Sequence, residues 1–377
     1  MRYLLLLLAS LLFGVSINDY REAVGLNPLY KNRYLIKSAK LHTIYLYKNH
    51  IISHYENPSL PYFVGVTPGD RAIYSGYNSR YIIENLSQGE NSYSESIKDL
   101  FSAIYHRLGF LDFNIDEVGF YNIGNIFVYE MGNNYINNRC VKNSSRSGFI
   151  DICKDKHRVI PKNVFNYVMK QNPKIVVWPY NGMKDVPAVF YDEIPDPLPE
   201  YGVCGYPISV SFNPYYFKHP KLIYFKLFDS NKEIKHIKII TSKNDVNHKL
   251  KDTQFVLFPL DRLSYGKRYY VKAKFVEGSQ VYRLSWSFVV ENSQNIIEIN
   301  SYKQTIYLKP NKTYLIYFKP LNKNDKINQL RYSYLSNMKV NKIALKDANS
   351  VYLNISGPKG SKFKLISNKR EITFVIE

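Results

Sequence analysis

At 377 residues the chain is too long for one ordinary domain and fits two or three. Its 51 Lys and Arg against 31 Asp and Glu give a formal charge of +20, and its 45% hydrophobic content excludes a disordered polyelectrolyte. Three Cys exclude a disulfide-dense mini-scaffold and any all-Cys zinc or iron–sulfur site, while 35 Tyr and 21 Phe favour sheet over long helix.

Residues 1–16 read as a signal peptide. Arg2 precedes an apolar run from Leu4 to Phe13, and Gly14-Val15-Ser16 supplies a small-x-small cleavage site. The run is short for a membrane span, no Cys follows it to carry a lipid, and no later stretch is apolar and long enough to cross a bilayer. The expected mature chain begins near Ile17 and is exported, either to the periplasm or out of the cell. Export permits disulfides. Cys140 and Cys153 share one Asn/Ser/Gly-rich segment and can close a short loop, which leaves Cys204 as the odd thiol.

Three modules follow. In residues 17–175, Leu35, Ala39, His42 and Leu46 recur at helical spacing, which predicts an amphipathic helix over Asn32–Lys48 with His42 as a core histidine. The turn-rich stretch Glu56–Gly76 comes next, with Asp70 expected to cap a short helix starting at Arg71. A second helix is predicted over Ser94–Arg107, its apolar stripe being Ile97, Leu100, Phe101, Ile104 and Leu108. Glu95, Asp99 and His106, spaced by 4 and 7 residues, are expected to line the opposite face of that helix. Glu117–Met131 then reads as strands.

Residues 176–292 change to short β runs separated by turns, the pattern of a small sandwich, with Pro195-Asp196-Pro197-Leu198-Pro199 as a stiff entry linker. Residues 293–377 form a third β-rich module, with strands expected at Gln304–Leu308, Thr313–Phe318, Leu330–Leu335, Ser350–Ile355 and Ile372–Glu377. This last module carries +10 of the net charge, which suits an anionic envelope polymer or lipid headgroups. A nucleic-acid partner is not expected, because the excess is mostly Lys spread along strands of an exported chain and no nucleic-acid signature occurs. H-E-x-x-H, P-loop, G-x-S-x-G and C-x-x-C motifs are absent.

An ordered set of short strings runs through the first module: Asn18-Asp19-Tyr20-Arg21, Gly25-Leu26-Asn27-Pro28-Leu29, Ser38-Ala39-Lys40-Leu41-His42, Ser53-His54-Tyr55-Glu56, Gly65-Val66-Thr67-Pro68-Gly69-Asp70-Arg71-Ala72, Glu84-Asn85-Leu86, Tyr105-His106-Arg107 and Glu117-Val118-Gly119. Together they resemble the CAP superfamily (SCP-like; cysteine-rich secretory, antigen 5, pathogenesis-related-1) in its bacterial form. The resemblance implies an α-β-α sandwich whose cleft carries two His and two acids able to hold a divalent metal such as zinc. His54, Glu84 and His106 match three of the four. The family's second acid falls near Leu100–Ala103, where no carboxylate stands, and Glu95 or Asp99 is the candidate fourth ligand. The alternative is an empty polar cleft in which His54 and Glu84 bond to each other. Tyr55, Tyr74, Tyr77, Tyr81 and Tyr105 are candidate cleft walls for a lipid or glycan. The second module, through Trp178-Pro179, Asp185-Val186-Pro187, Gly205-Tyr206-Pro207 and Trp286-Ser287-Phe288, resembles the Ig-like extension of some bacterial CAP proteins.

The expected fold class is therefore α+β: a CAP α-β-α sandwich (17–175), an Ig-like β-sandwich (176–292) and a smaller basic β module (293–377). The expected function is non-enzymatic binding of a small ligand, lipid or glycan, or of an envelope partner, through the His/Glu cleft. A metal-assisted hydrolase of peptide or cell-wall substrates is the alternative.

Overall fold

The computed structural model describes residues 14–141, 147–190 and 193–377, so most of the expected signal peptide lies outside the described residues. The chain divides into two units. Unit 1 runs to Trp178 and also takes in 210–220 and 249–254; unit 2 holds 179–209, 221–248 and 255–377.

In unit 1 the helices are α1 (Ile17–Ala23), α2 (Arg33–Asn49), α3 (Pro68–Ser75), α4 (Tyr93–Ser102), α5 (Ile104–Phe110), α6 (Asn134–Arg139) and α7 (Asn166–Lys170). Its main sheet has strands β1 (Tyr30–Lys31), β2 (Ile83–Gln88), β3 (Glu117–Ile123) and β4 (Ile126–Gly132) in the order β1-β3-β4-β2. β1 runs parallel to β3, and the other pairs are antiparallel. A short strand, β5 (Ile175–Trp178), follows α7.

Strand alternation sorts the side chains of β2 and β4 onto two faces. Leu86, Ile126 and Val128 pack against Ala39, Tyr45 and Leu46 of α2. From the other face, Tyr129 packs on Phe110 of α5 at 5.4 Å, and its hydroxyl donates to Ser96 Oγ of α4 at 2.9 Å. The result is an α-β-α sandwich, with α2 and α3 on one face and α4 and α5 on the other. Gly119 is what lets α2 seat on the sheet, since a Cβ there would lie 2.0 Å from the Leu35 carbonyl carbon.

Helix ends follow local chemistry. Asn32 caps α2 through bonds from Tyr34 and Leu35 N–H. α3 starts at Pro68, earlier than expected: Thr67 is its N-cap, and Asp70 is the third residue, reaching back to the Thr67 N–H in a capping box. The expected single helix Ser94–Arg107 is two helices, broken at Ala103, which is extended (φ −72°, ψ 125°). The break is held by the buried Arg107 guanidinium, which donates to the Phe101 and Ser102 carbonyls that end α4. The phase of α4 therefore does not continue into α5, and His106 does not share a helical face with Glu95 and Asp99. Cys140 and Cys153 form a disulfide with Cα atoms 5.3 Å apart; Cys204 is buried and carries none.

After β5 the described chain continues in strands: β6 (Ile208–Phe212), β7 (Lys221–Asp229), β8 (Lys232–Ile234), β9 (Ile237–Thr241), β10 (Gln254–Pro259), β11 (Arg268–Glu277) and β12 (Gln280–Val289). In unit 2, β12-β11-β7-β8 form a sheet and β9 pairs with β10. β13 (Ile296–Ile299), β14 (Lys303–Leu308), β15 (Tyr314–Phe318), β16 (Leu330–Tyr334), β17 (Lys339–Asp347), β18 (Ser350–Ser356), β19 (Lys362–Ser367) and β20 (Arg370–Ile376) make two further sheets, β13-β15-β18-β17 and β14-β20-β19-β16. They enclose a core that includes Ile316, Phe318, Leu353, Phe363, Leu365 and Phe374. Arg262 ties the two parts of unit 2 together: it pairs with Asp347 at 2.9 Å and lies between the Tyr265 and Tyr317 rings, 4.4 and 4.5 Å from their centroids. No helix among the described residues is long and apolar enough to cross a membrane.

Candidate functional site

The α2/α3 face of the sheet carries charge beside its apolar packing. The side chain of Glu84 on β2 is buried, and both its oxygens are engaged. Oε1 lies 2.9 Å from His54 Nδ1, and Oε2 accepts from Arg71 Nη2 at 2.5 Å. Arg71, on α3, also donates through Nη1 to the His54 carbonyl at 3.1 Å, so one buried guanidinium fixes both the carboxylate and the backbone that presents the imidazole. Burial works to raise the Glu84 pKa; His42, Arg71 and His54 outweigh it and hold the carboxyl down at about 2.

Behind this pair stands a second one. His42 on α2 is fully buried, with Nδ1 2.9 Å from Glu56 Oε1 and Nε2 3.0 Å from the Ser53 carbonyl. Glu56 Oε2 accepts from the Val64 N–H at 2.8 Å. His42 is thus a satisfied core histidine that staples the turn after Ser53 to α2, and its Nε2 lies 3.8 Å from Glu84 Oε1. Glu130 completes the cluster. It sits opposite Glu84 in the β2/β4 register and is fully buried; among the described residues its carboxyl oxygens accept no hydrogen bond, and Arg71 Nε lies 3.8 Å from Oε1. Burial and the facing Glu84 charge push its pKa well above the usual carboxylate range.

Of the residues expected from sequence, the structure joins His54 to Glu84 directly. His106 is on α5, on the opposite face of the sheet, where Asn85 Nδ2 donates to its main-chain oxygen at 2.8 Å. Glu95 uses its carboxylate at the start of α4, accepting from the Asn91 N–H at 3.0 Å. Asp99 lies on α4, before the break at Ala103. Tyr77 is a core residue whose hydroxyl donates to Glu117 at 2.7 Å. Tyr55 and Tyr74 are exposed.

Three members of the cluster, Glu56, Arg71 and Glu130, were not anticipated as site residues. Glu56 and Arg71 stood inside the strings that carried the family resemblance. Glu130 had its own signal, a lone carboxyl in the apolar run Ile126–Gly132.

The donor set does not fit a zinc site. Glu84 has spent both oxygens, one of them on a buried cation that would face the metal. Among the described residues no group of three or more His, Cys, Asp and Glu is placed to hold one. What the geometry offers instead is an oriented imidazole. Its Nδ1 is anchored on Glu84, and the side chain is 41% exposed.

The family model described as cysteine-rich secretory protein family, CAP, matches residues 16–123. No curated protein sequence matches the chain. Among solved structures the chain is similar to an outer surface protein from Borrelia burgdorferi, at 25% identity over 31% of this chain and 86% of that one, with a TM-score of 0.27. It is also similar to an extracellular protein containing a SCP domain from Bacillus anthracis, at 18% identity over 31% of this chain and 37% of that one, with a TM-score of 0.29. A third similarity is to tandem Ig domains of titin, at 11% identity over 54% of this chain and 96% of that one, with a TM-score of 0.18. Residues 16–123, with their three-layer sandwich, form a domain of the CAP, or cysteine-rich secretory protein, family.

Proposed function

We propose that this is an exported, non-enzymatic binding protein whose CAP domain takes the polar head of a glycan or lipid at His54. The observation that carries this reading is the half-exposed imidazole held from behind by a buried carboxylate, itself fixed by Arg71. An imidazole anchored through Nδ1 presents its other ring nitrogen as a directional hydrogen-bonding group for a ligand hydroxyl. Export rests on the Leu4–Phe13 apolar run and the small residues after it. The β modules, Ig-like by sequence in the case of 176–292, space the domain from the envelope, and the +10 of residues 293–377 favours anionic polymers there.

Binding of the mature chain to a glycan array and to lipid vesicles, beside a His54→Ala variant, tests the reading. The expected result is one ligand class retained by the wild-type chain and lost by the variant. Equal retention by both proteins would overturn it.

A further inference from the structure

Unit 1 contains a cavity built from elements other than those of the His54 cluster. It has a volume of about 430 Å³, within the range of roughly 300–1,000 Å³ typical of small-molecule sites. Its walls come from three separated stretches of chain: the segment after α5, the disulfide loop with the turn before α7, and the two later segments that fold into this unit.

The apolar wall is aromatic and already ordered. Phe165 meets Tyr81 edge-on at 5.5 Å and Phe149 edge-on at 5.1 Å, and Phe212 lines the same space. Main-chain bonds hold these walls in place. Phe149 and Ile160 exchange two N–H···O bonds of 2.8 Å, and the Arg80 N–H donates to the carbonyl of Ile152, next to the disulfide. A chain of edge-to-face rings leaves ring faces and edges able to take one further aromatic group.

The polar features of the cavity are specific as well. Asp112 is buried and saturated: Oδ1 accepts from the Asn114 N–H at 2.8 Å, and Oδ2 from Lys251 Nζ at 2.7 Å. Lys251 therefore uses one of its three ammonium hydrogens on Asp112 while lining the cavity with its side chain 55% exposed. Lys162, over the Phe149 ring at 5.9 Å, adds a second cation to the lining. Two lysines against one carboxylate leave the lining with an uncompensated positive charge. The Tyr81 hydroxyl, pushed up to about 12 by burial and by Asp112, stays protonated as a neutral polar group.

We propose that this cavity is a binding site for a small aromatic carboxylate, its rings stacked among Phe149, Phe165 and Phe212 and its anion on Lys251 and Lys162. The site is independent of His54 and shares no residue with that cluster.

Calorimetric titration of the full chain with 2-naphthoate, and with 2-naphthamide as an uncharged analogue of the same shape, tests this. Saturable single-site binding of naphthoate is expected, with the amide about tenfold weaker, the worth of one charge-assisted hydrogen bond. Met169→Trp, which fills the cavity, removes binding, and the surface variant Lys162→Gln weakens naphthoate without weakening the amide. Absence of saturable naphthoate binding overturns the proposal. So does equal affinity for acid and amide, or unchanged naphthoate binding in a folded Met169→Trp chain. If Met169→Trp fails to fold, the Lys162→Gln comparison decides alone, and equal loss of both probes counts against the site.

Discussion

The two faces of one sheet in unit 1 are stabilised by opposite means. On the α4/α5 face, Phe110 and Phe101 stack at 5.4 Å, Tyr129 joins them edge-on, and the few polar atoms pair locally, as Ser87 and Ser96 do at 2.6 Å. On the α2/α3 face, the same strands bury the Glu84 and Glu130 side chains against Arg71, His42 and Glu56. Aromatic packing gains stability from area and dispersion and is indifferent to pH. A buried ion cluster is a weak way to gain stability, because desolvation offsets the attraction, yet it is costly to break. The charged face therefore fits a role in presenting His54 better than a role in holding the fold together, and the two faces should answer differently to mutation and to acid.

The largest effects come from breaking either face. Arg71→Met leaves ionised Glu84 buried without its cation and should cost about 3–5 kcal/mol in urea unfolding near pH 7. Phe110→Ala should cost a similar amount, about 3–5 kcal/mol, by opening a cavity. The comparison sharpens with pH. The Phe110→Ala deficit should be constant between pH 3 and 8, whereas the Arg71→Met deficit should shrink in acid as Glu84 takes up a proton.

Next in size is the acid response of the native chain. Glu84 is held at about 2, below its ordinary value of 4.5. A depressed carboxyl contributes stability that is present above the unfolded-state value and is lost as pH falls from there through the folded value. About 3 kcal/mol should therefore disappear between roughly pH 5 and pH 2. A Glu84→Gln chain that loses as much stability over that window as the wild type would show that the network does not govern acid sensitivity.

Gly119→Ala probes the charged face without touching a charge. The added methyl meets the backbone of α2, and a cost of about 1–3 kcal/mol or more is expected from overpacking. Glu130→Gln is the smallest. Glu130 is raised, so ionising it costs the folded state progressively as pH rises above the unfolded-state value. The amide should be within about 1 kcal/mol of wild type near pH 4 and more stable than wild type at pH 8. A loss at pH 8 comparable to that of Arg71→Met would mean that Glu130 is an ionised member of the network.

Much of the scaffold was legible in the sequence. The periodicity of Leu35, Ala39, His42 and Leu46 located α2 to within a residue at each end. The hairpin of β3 and β4 followed from loose alternation over Glu117–Met131. The break at Ala103 was not legible, because its cause is Arg107 reaching back to carbonyls before the break. Reading one helix there placed His106 on a face with Glu95 and Asp99 that does not exist. In the third module β13, β17 and β19 were passed over, although Phe363 and Leu365 give β19 a clear alternation.

At the site, the local string Ser53-His54-Tyr55-Glu56 and the isolated Glu84 carried real information. The role of Glu130 did not, since it comes from a cross-strand register that pairs residues 84 and 130. The aromatic cavity was the least legible feature, because its walls come from stretches of chain far apart in sequence.

The central claim is that Glu84 is committed to Arg71 and His54, so that the cleft presents an imidazole and not a metal. Zinc titration by calorimetry on the mature chain, beside a His54→Ala, His106→Ala variant, tests it most directly. The account predicts weak binding that is the same in both proteins. Tight, stoichiometric zinc binding by the mature chain that vanishes in the variant would contradict it.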